Sequence, residues 1–240
     1  MIPLRADHPT TIRPILCISF ITINVLVFLH QLSLGPELAQ LFVYRYGAIP
    51  AVLFGQETLP PEASVLPPVM SLFTSMFLHG GLMHVGGNML YLWIFGNNIE
   101  DIMGHERFLI FYLLTGLLAA MSHAVLDAGS VVPMIGASGA ISGVLGAYLL
   151  IYPHAQVLVL IPFGFFSRMI YIRAGWVLGF WFLMQIFSGG MSIGQKGGGV
   201  AWFAHIGGFI AGMLLVGFFK RRDVRFFNPP HRHARRMDGW

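Results

Sequence analysis

Long apolar runs, separated by short polar segments, dominate the chain. The hydrocarbon core of a bilayer is about 30 Å thick, and a helix needs roughly 17 to 25 apolar residues to cross it. Six runs meet or approach this length, and we predict membrane spans over residues 15–32, 82–99, 108–125, 137–152, 174–187 and 200–219. The fourth and fifth runs are short. The pattern predicts an all-α membrane protein, built as a six-helix bundle with a long outer loop between helices 1 and 2.

The longest connection lies between the first two spans, at about residues 35–80. It combines an apolar stretch at 38–54 with a proline-rich stretch at 58–68, so we expect a packed interfacial loop and not a free linker. The first span exceeds the roughly 7 to 15 apolar residues of a signal peptide, and no clear small-residue cleavage site follows it. We therefore expect this span to be a retained helix.

The composition supports a membrane setting. Charged residues make up 10% of the chain, against roughly 25% in a soluble domain. Hydrophobic residues make up 56%, and the mean hydropathy is +0.72. These values exclude a soluble domain with a tail. The single cysteine, Cys17, excludes an internal disulfide and a cysteine-based metal cluster.

The lysines and arginines predict the orientation, because cytoplasmic loops carry the excess of these residues. With six spans and both termini cytoplasmic, only Arg45 and Lys196 of the 14 basic residues face outside. The apolar segment 157–166 is too short to span and contains Pro162, so we expect it to be interfacial or partly re-entrant. The predicted organisation is a cytoplasmic N-terminal segment at 1–14, the membrane domain at 15–219 and a basic cytoplasmic tail at 220–240.

These features predict an integral, multi-pass membrane protein, with the lipid bilayer as a partner. We expect its location to be a prokaryotic cell (inner) membrane. The basic tail, which includes His231 and His233, either contacts anionic lipid headgroups or serves only as a topology signal. We expect no nucleic-acid partner, and the sequence leaves the oligomeric state open.

Four polar residues lie at similar depth inside the predicted spans. A helix rises about 1.5 Å per residue, which places Ser138 and His205 roughly 22 Å above the inner boundary and some 8 Å below the outer one. The same count places His84 at about 24 Å and Asn88 at about 18 Å. Because unpaired polar groups are costly in hydrocarbon, an intramembrane histidine indicates a functional site. The pair to test is Ser138 with His205.

Small residues share the helix faces that carry Ser138 and His205, and small residues let membrane helices approach closely. Such strips are more often packing devices than active sites. A serine, however, needs this closeness to reach an imidazole. The two strips consist of Ser138, Gly139, Ser142, Gly143 and Gly146 in the fourth span, and of His205, Gly208 and Gly212 in the sixth.

These residues resemble the motifs of the rhomboid family of intramembrane serine proteases. The stretch 136–139, Gly-Ala-Ser-Gly, is similar to the nucleophile motif, and Ala-His at 204–205 with its following glycines is similar to the histidine motif. The second span carries a similar His-x-x-x-Asn at 84–88, and Glu100 with Gly104 resembles the family's Glu-x-x-x-Gly. The resemblance extends over about residues 70–219 and implies a six-helix core.

Two positions depart from the family pattern. The family often has a Trp-Arg pair in the first outer loop, where this chain has Met70 and Ser71. A tyrosine is common one turn after the nucleophile, where this chain has Ser142. Neither position supplies a reacting atom, so we expect altered loop packing and altered support of the histidine, with the chemistry retained.

The resemblance implies an intramembrane serine endopeptidase that cleaves transmembrane segments of other membrane proteins near the outer face. Neutral His205 is expected to activate Ser138, since serine is a weak nucleophile without a base. His84, Asn88 and the backbone N–H of Ser138 are expected to stabilise the oxyanion. All ten acids are expected outside the core, which favours a dyad over a triad and leaves a role for Asp127 open. We expect no cofactor and no metal.

Two other classes of function stay open. A catalytically silent rhomboid-like protein that binds membrane clients retains the fold, but such proteins usually lack the serine or the histidine, and both are present here. A small transporter accounts for the glycine-rich helices alone. Against it, we expect no acidic residue in mid-membrane to couple protons or cations.

Overall fold

The computed structural model describes residues 1–163, 166–192 and 200–228. These residues form a mostly helical protein with a small sheet. The helices are α1 Ile15–Ser33, α2 Gly35–Tyr46, α3 Pro50–Leu53, α4 Ser71–Thr74, α5 Leu82–Tyr91, α6 Asn97–Met103, α7 His105–Leu126, α8 Ser138–Ile151, α9 Ala174–Ser192 and α10 Trp202–Phe219. The strands are β1 Ile2–Ala6, β2 Gln156–Phe163 and β3 Phe166–Arg173.

Among the described residues, four helices are long and apolar enough to cross a membrane, namely α1, α7, α9 and α10. The chain is therefore an integral, multi-pass membrane protein. The second predicted span corresponds to α5 and α6, which are joined by a π-helical turn at Leu92–Gly96. The fourth corresponds to α8, whose 14 residues extend about 21 Å. These two elements are helical as expected, and the count of six spans stays a prediction.

The three-stranded sheet was not predicted. Residues 157–163 lie in β2, which pairs antiparallel with β3, and β1 from the N-terminus pairs with β2. The interfacial or partly re-entrant placement expected for the segment 157–166 stays a prediction. Val157 and Val159 alternate inward and are fully buried. β-Branched residues at a spacing of two suit a half-buried strand. The pairing of Pro3 with Val159 joins the N-terminal segment to the connection between α8 and α9.

The connection at 35–80, expected as a packed loop, contains the helices α2, α3 and α4, and it is packed against the bundle. Ala48 forms a β-bridge with Met134, and Ala51 N–H donates to the Ser130 carbonyl at 2.9 Å. Thr74 Oγ donates to the Tyr46 carbonyl at 2.6 Å. Placement of this segment at the outer face stays a prediction.

Helices α7, α8 and α10 form the centre of the bundle, and glycines set the distance between α8 and α10. A Cβ at Gly208 would overlap the Gly139 carbonyl, and a Cβ at Gly212 would overlap the Gly143 carbonyl. A Cβ at Gly146 would overlap the backbone of α10 in the same way. The close approach predicted from the small-residue strips is therefore confirmed. It brings the first turns of the two helices together.

Glu100 and Asp101 correct the expectation that all acids lie outside the core, because these residues are 0% and 6% exposed. The two carboxyl oxygens of Glu100 accept hydrogen bonds from the backbone N–H groups of Leu16 and Cys17, each at 2.9 Å. One of them also contacts His105 Nδ1 at 2.7 Å. The first N–H groups of a helix lack intrahelical partners, so this carboxylate caps α1. The burial of Glu100 therefore has a structural explanation.

Candidate active site

Ser138 is the first residue of α8, and a tight turn presents it. Gly136 has φ of 121°, a conformation that favours glycine, and its N–H donates to the Ser75 carbonyl at 2.8 Å. A Cβ at Gly136 would lie only 2.8 Å from His84 Nε2. Glycine at this position therefore lets α5 approach the serine.

His205 lies in the first turns of α10 and connects two side chains. Its Nε2 is 2.8 Å from Ser138 Oγ, and its Nδ1 is 2.8 Å from Gln185 Oε1. Gln185 Nε2 donates to the Trp181 carbonyl at 3.1 Å, which turns the amide oxygen toward the imidazole. An amide oxygen only accepts hydrogen bonds, so Nδ1 carries the proton and the Nε2 lone pair of a neutral imidazole faces the serine hydroxyl.

Gln185 is a site residue that sequence reasoning missed. The available signal was a lone amide in the otherwise apolar sequence of α9, where it is 7% exposed. Its contact also bears on Asp127, whose role the sequence left open. Asp127 is exposed and follows the last turn of α7, and the position facing His205 Nδ1 is held by Gln185.

Two tryptophans flank the imidazole of His205. The Trp181 ring lies 5.9 Å away by centroids and the Trp202 ring 6.1 Å away. Ser142, which stands where the family commonly has a tyrosine, donates to the Ser138 carbonyl at 2.6 Å. The amide and the two rings that contact His205 thus belong to α9 and to the start of α10, and the altered support expected for the histidine stays a prediction.

His84 and Asn88 lie beside the turn that leads to Ser138. Gly80 N–H donates to His84 Nδ1 at 3.3 Å, which leaves the proton of a neutral imidazole on Nε2. Asn88 is buried, and its Nδ2 has no hydrogen-bond partner. Unpaired buried donors are rare and call for an explanation. Together with the unpaired N–H groups and positive dipole end of α8, these side chains form a cluster of donors.

A cavity of about 1100 Å³ reaches these groups. Among the described residues that line it, Asp127 is the one acid, and none is a lysine or an arginine. Its walls come from α5, α8 and α9, from the end of α7, from the segment that precedes α8, and from the start of α10. The lining includes Met83, Tyr91, Ile135, Ser138, Trp181 and His205. An extended peptide segment therefore has access to the serine hydroxyl.

His79 lies behind His84, with ring centroids 5.0 Å apart. Its side chain is 2% exposed. Burial, with a smaller contribution from neighbouring His84, lowers the pKa of His79 to about 4. This histidine is therefore neutral at physiological pH and adds no charge next to the donor cluster.

Within the described part of the chain, no group of three or more histidine, cysteine, aspartate or glutamate side chains is arranged to hold a metal ion. The expectation of no cofactor and no metal stays a prediction.

Two parts of the predicted topology lie outside the described residues. They are Lys196 and the tail from residue 229, with Arg232, Arg235 and Arg236. The domain boundaries and the sidedness of the termini are likewise still predictions.

Comparison with known proteins identifies relatives of one kind. The Rhomboid domain family model matches residues 67–222. The chain is 31% identical over 184 residues to the presenilin-associated rhomboid-like protein, mitochondrial, of Bos taurus, covering 74% of this chain and 46% of that protein. It is 31% identical over 152 residues to rhomboid protein 1, mitochondrial, of Saccharomyces cerevisiae, covering 60% and 40%.

A bacterial relative shares a shorter segment. Rhomboid protease GluP of Bacillus subtilis is 42% identical over 78 residues, covering 32% of this chain and 15% of that protein. The matches thus span less than half of each of these relatives. Mitochondrial relatives give no support to the expected prokaryotic inner membrane. The family model nevertheless covers well over half of this chain, and the chain belongs to the rhomboid family.

Proposed function

We propose that the protein is an intramembrane serine endopeptidase that cleaves transmembrane segments of other membrane proteins. Ser138 is the nucleophile and His205 is the general base. The observation that carries this proposal is the 2.8 Å contact between His205 Nε2 and Ser138 Oγ, with Gln185 on the opposite ring nitrogen. The geometry matches the nucleophile, base and orienting group of serine hydrolases.

The chemistry follows from these positions. His205 takes the hydroxyl proton as Ser138 Oγ attacks the peptide carbonyl, and the acyl–oxygen bond forms. The imidazolium then gives its proton to the leaving amine. Water, activated by the same imidazole, hydrolyses the acyl-enzyme and regenerates the serine. A neutral amide, not a carboxylate, orients the histidine, so the unit is a dyad supported by Gln185.

The donor cluster provides the second part of the proposal. His84 Nε2, Asn88 Nδ2 and the N–H of Ser138 donate to the oxyanion that forms on the carbonyl oxygen. In soluble proteases, one donor that is fixed in advance in a water-poor site stabilises the transition state by about 3 to 4 kcal/mol. The free Nδ2 of Asn88 supports this assignment, since a substrate carbonyl supplies the missing partner.

The short helix α8 supports cleavage near the outer face. Its length of about 21 Å is less than the roughly 30 Å hydrocarbon core, so Ser138 at its outer end lies below that surface. We propose six spans, with both termini cytoplasmic, the membrane domain over residues 15–219 and terminal segments at 1–14 and 220–240.

The substrate must present an accessible carbonyl. A transmembrane helix satisfies its own backbone groups, so the scissile region has to unwind before it enters the cavity. The cavity of about 1100 Å³ accommodates a segment of extended chain. The bound partner is therefore a membrane protein whose helix loosens near its outer end.

Labelling with a serine-directed fluorophosphonate tests the proposal against its alternatives. The purified wild-type protein should be labelled, while the Ser138→Ala and His205→Ala variants should not be. Ser142→Ala is the matched control, because this neighbouring serine lies one turn away and should be dispensable for labelling. A wild-type protein that resists the probe would favour a catalytically silent client-binding protein or a small transporter.

A further inference from the structure

Gln31, near the outer end of α1, forms a paired contact with the backbone of a distant residue. His79 N–H donates to Gln31 Oε1 at 3.1 Å, and Gln31 Nε2 donates to the His79 carbonyl at 3.3 Å. Gln31 is 6% exposed. A primary amide that donates to the carbonyl of one residue and accepts from the N–H of the same residue fixes the position and direction of the backbone there. Here the fixed segment is the loop that enters α5.

The residue after His79 sets the protonation of the donor cluster. Gly80 N–H donates to His84 Nδ1 at 3.3 Å. In a neutral imidazole one nitrogen carries the proton and the other accepts. Acceptance at Nδ1 therefore keeps the proton on Nε2, the nitrogen that faces Gly136. A Gly80 N–H turned away would permit the other tautomer, in which Nε2 no longer donates.

We propose that Gln31 is a positioning residue of the proposed protease, holding the loop before α5 so that His84 keeps its proton on Nε2. The inference rests on the proposed function for its catalytic consequence. Gln31 lies outside residues 67–222 matched by the Rhomboid domain and stands in a different span from the donors it orients. The active site therefore depends on α1 as well as on the matched domain.

Asn24 is the matched control on the same helix. It is 0% exposed, and its Nδ2 donates to the Phe20 carbonyl at 2.7 Å within α1. Asn24→Leu thus removes a buried amide from α1 without touching the loop. Gln31→Leu removes a buried amide and releases the loop. A general loss of stability affects both variants, whereas a loss of positioning affects only Gln31→Leu.

The first measurement is the tautomer of His84, read by solid-state NMR of protein labelled with ¹⁵N-histidine and assigned with a His84→Asn variant. Wild type and Asn24→Leu should show His84 protonated on Nε2. Gln31→Leu should show a mixture of tautomers. An unchanged Nε2–H tautomer in Gln31→Leu would overturn the proposal. This readout needs no turnover, so it stands even if the protein proves not to be a protease.

The second measurement is kinetic. Gln31→Leu should lower kcat for a transmembrane substrate by about tenfold to a hundredfold, a typical cost of misplacing a catalytic group by about 1 Å, with KM changed less than twofold. Asn24→Leu should retain kcat within about threefold. Equal losses of kcat in the two variants would mean that Gln31 only stabilises the fold and would refute the positioning role.

Gln31→Glu provides a rescue that depends on pH. A protonated carboxyl accepts from His79 N–H and donates to the His79 carbonyl, as the amide does, whereas an ionised one only accepts. The ratio of its kcat to that of wild type should therefore rise as the pH is lowered. Wild type has His79 and His84 beside this contact but no carboxyl at position 31, so it provides the pH profile against which the ratio is taken. A ratio independent of pH would count against the paired contact.

Discussion

At the scale of single residues, the proposed chemistry depends on the orientation of one neutral imidazole. His205 lies between Ser138 Oγ and Gln185 Oε1, at 2.8 Å from each. The serine and the histidine could be predicted because polar groups are conspicuous in apolar spans. Gln185 could not be assigned, since its role depends on how α9 is rotated against α10, which the sequence of α9 does not determine.

Replacement of Gln185 tests this orientation. Gln185→Leu leaves Nδ1 of His205 without an acceptor, so the tautomer that activates serine is no longer favoured. We expect kcat/KM to fall by about tenfold to a thousandfold, within the range of groups that hold a catalytic base. Gln185→Glu retains an acceptor oxygen and should retain more activity. Equal activity of Gln185→Leu and wild type would remove Gln185 from the site.

His79 should make stability depend on pH. Its pKa is lowered by burial from 6.5 to about 4, so between these values the unfolded state binds more protons than the folded state. The stabilisation is therefore complete above about pH 6.5 and is lost as the pH falls toward 4, by up to about 3 kcal/mol. Melting temperatures in detergent between pH 7.5 and about pH 4.5 should show the decline.

His79→Gln removes the titrating group and should flatten this pH dependence. Exposed His154 provides the control, because its replacement by glutamine should leave the decline in place. A decline of the same size in His79→Gln and in wild type would show that other groups cause it.

At the scale of elements, the packing of α8 against α10 was predictable and the sheet was not. Small residues at helical spacing are local information, and they correctly indicated the close approach of Gly143 and Gly212. The pairing of β1 with β2 joins residues about 150 positions apart, such as Pro3 and Val159. Nothing in either strand specifies its distant partner, so the apolar hairpin segment resembled a membrane-interface stretch.

Gly212→Ala tests the role of this packing. The added methyl would overlap the Gly143 carbonyl, so α8 and α10 must separate, and the contact between Ser138 and His205 must lengthen. We expect a loss of about 1 to 3 kcal/mol in stability, as for other overpacked cores, and a larger loss of turnover than of folded protein. The measurements are melting temperature and kcat/KM.

Gly179→Ala in α9 is the matched control, because a Cβ there meets no atom within 4 Å. It should be neutral or slightly stabilising, since alanine favours a helix over glycine by up to about 1 kcal/mol. Full activity of Gly212→Ala at wild-type stability would show that the close approach is not needed.

At the scale of the whole molecule, composition and apolar runs were sufficient to predict a multi-pass helical protein. Charge distribution predicts its orientation, because 12 of the 14 lysines and arginines lie on one side of a six-span arrangement. The buried Glu100 was missed, since a carboxylate near a span boundary reads as a surface residue. Its capping of α1 becomes visible only when the helices are assembled.

The orientation is tested by reporters and by thiol labelling. A reporter that works only in the cytoplasm should be active when it is fused after Trp240. A reporter that works only outside should be inactive at the same position. A cysteine introduced at Lys196, in a Cys17→Ala background, should react with an impermeant reagent added outside. Reaction of that cysteine from the cytoplasmic side alone would reverse the proposed topology while leaving the site geometry unaffected.

The most direct test of the proposed function is cleavage of a single-span membrane substrate by the purified protein, with the cut mapped by mass spectrometry. Wild type should cut within the outer third of the substrate helix. Ser138→Ala, His205→Ala and the double variant should all lose activity to a similar extent, because residues that act as one unit are not additive. Near-normal turnover by purified Ser138→Ala would contradict the proposal that this rhomboid-family protein is a serine protease acting through Ser138.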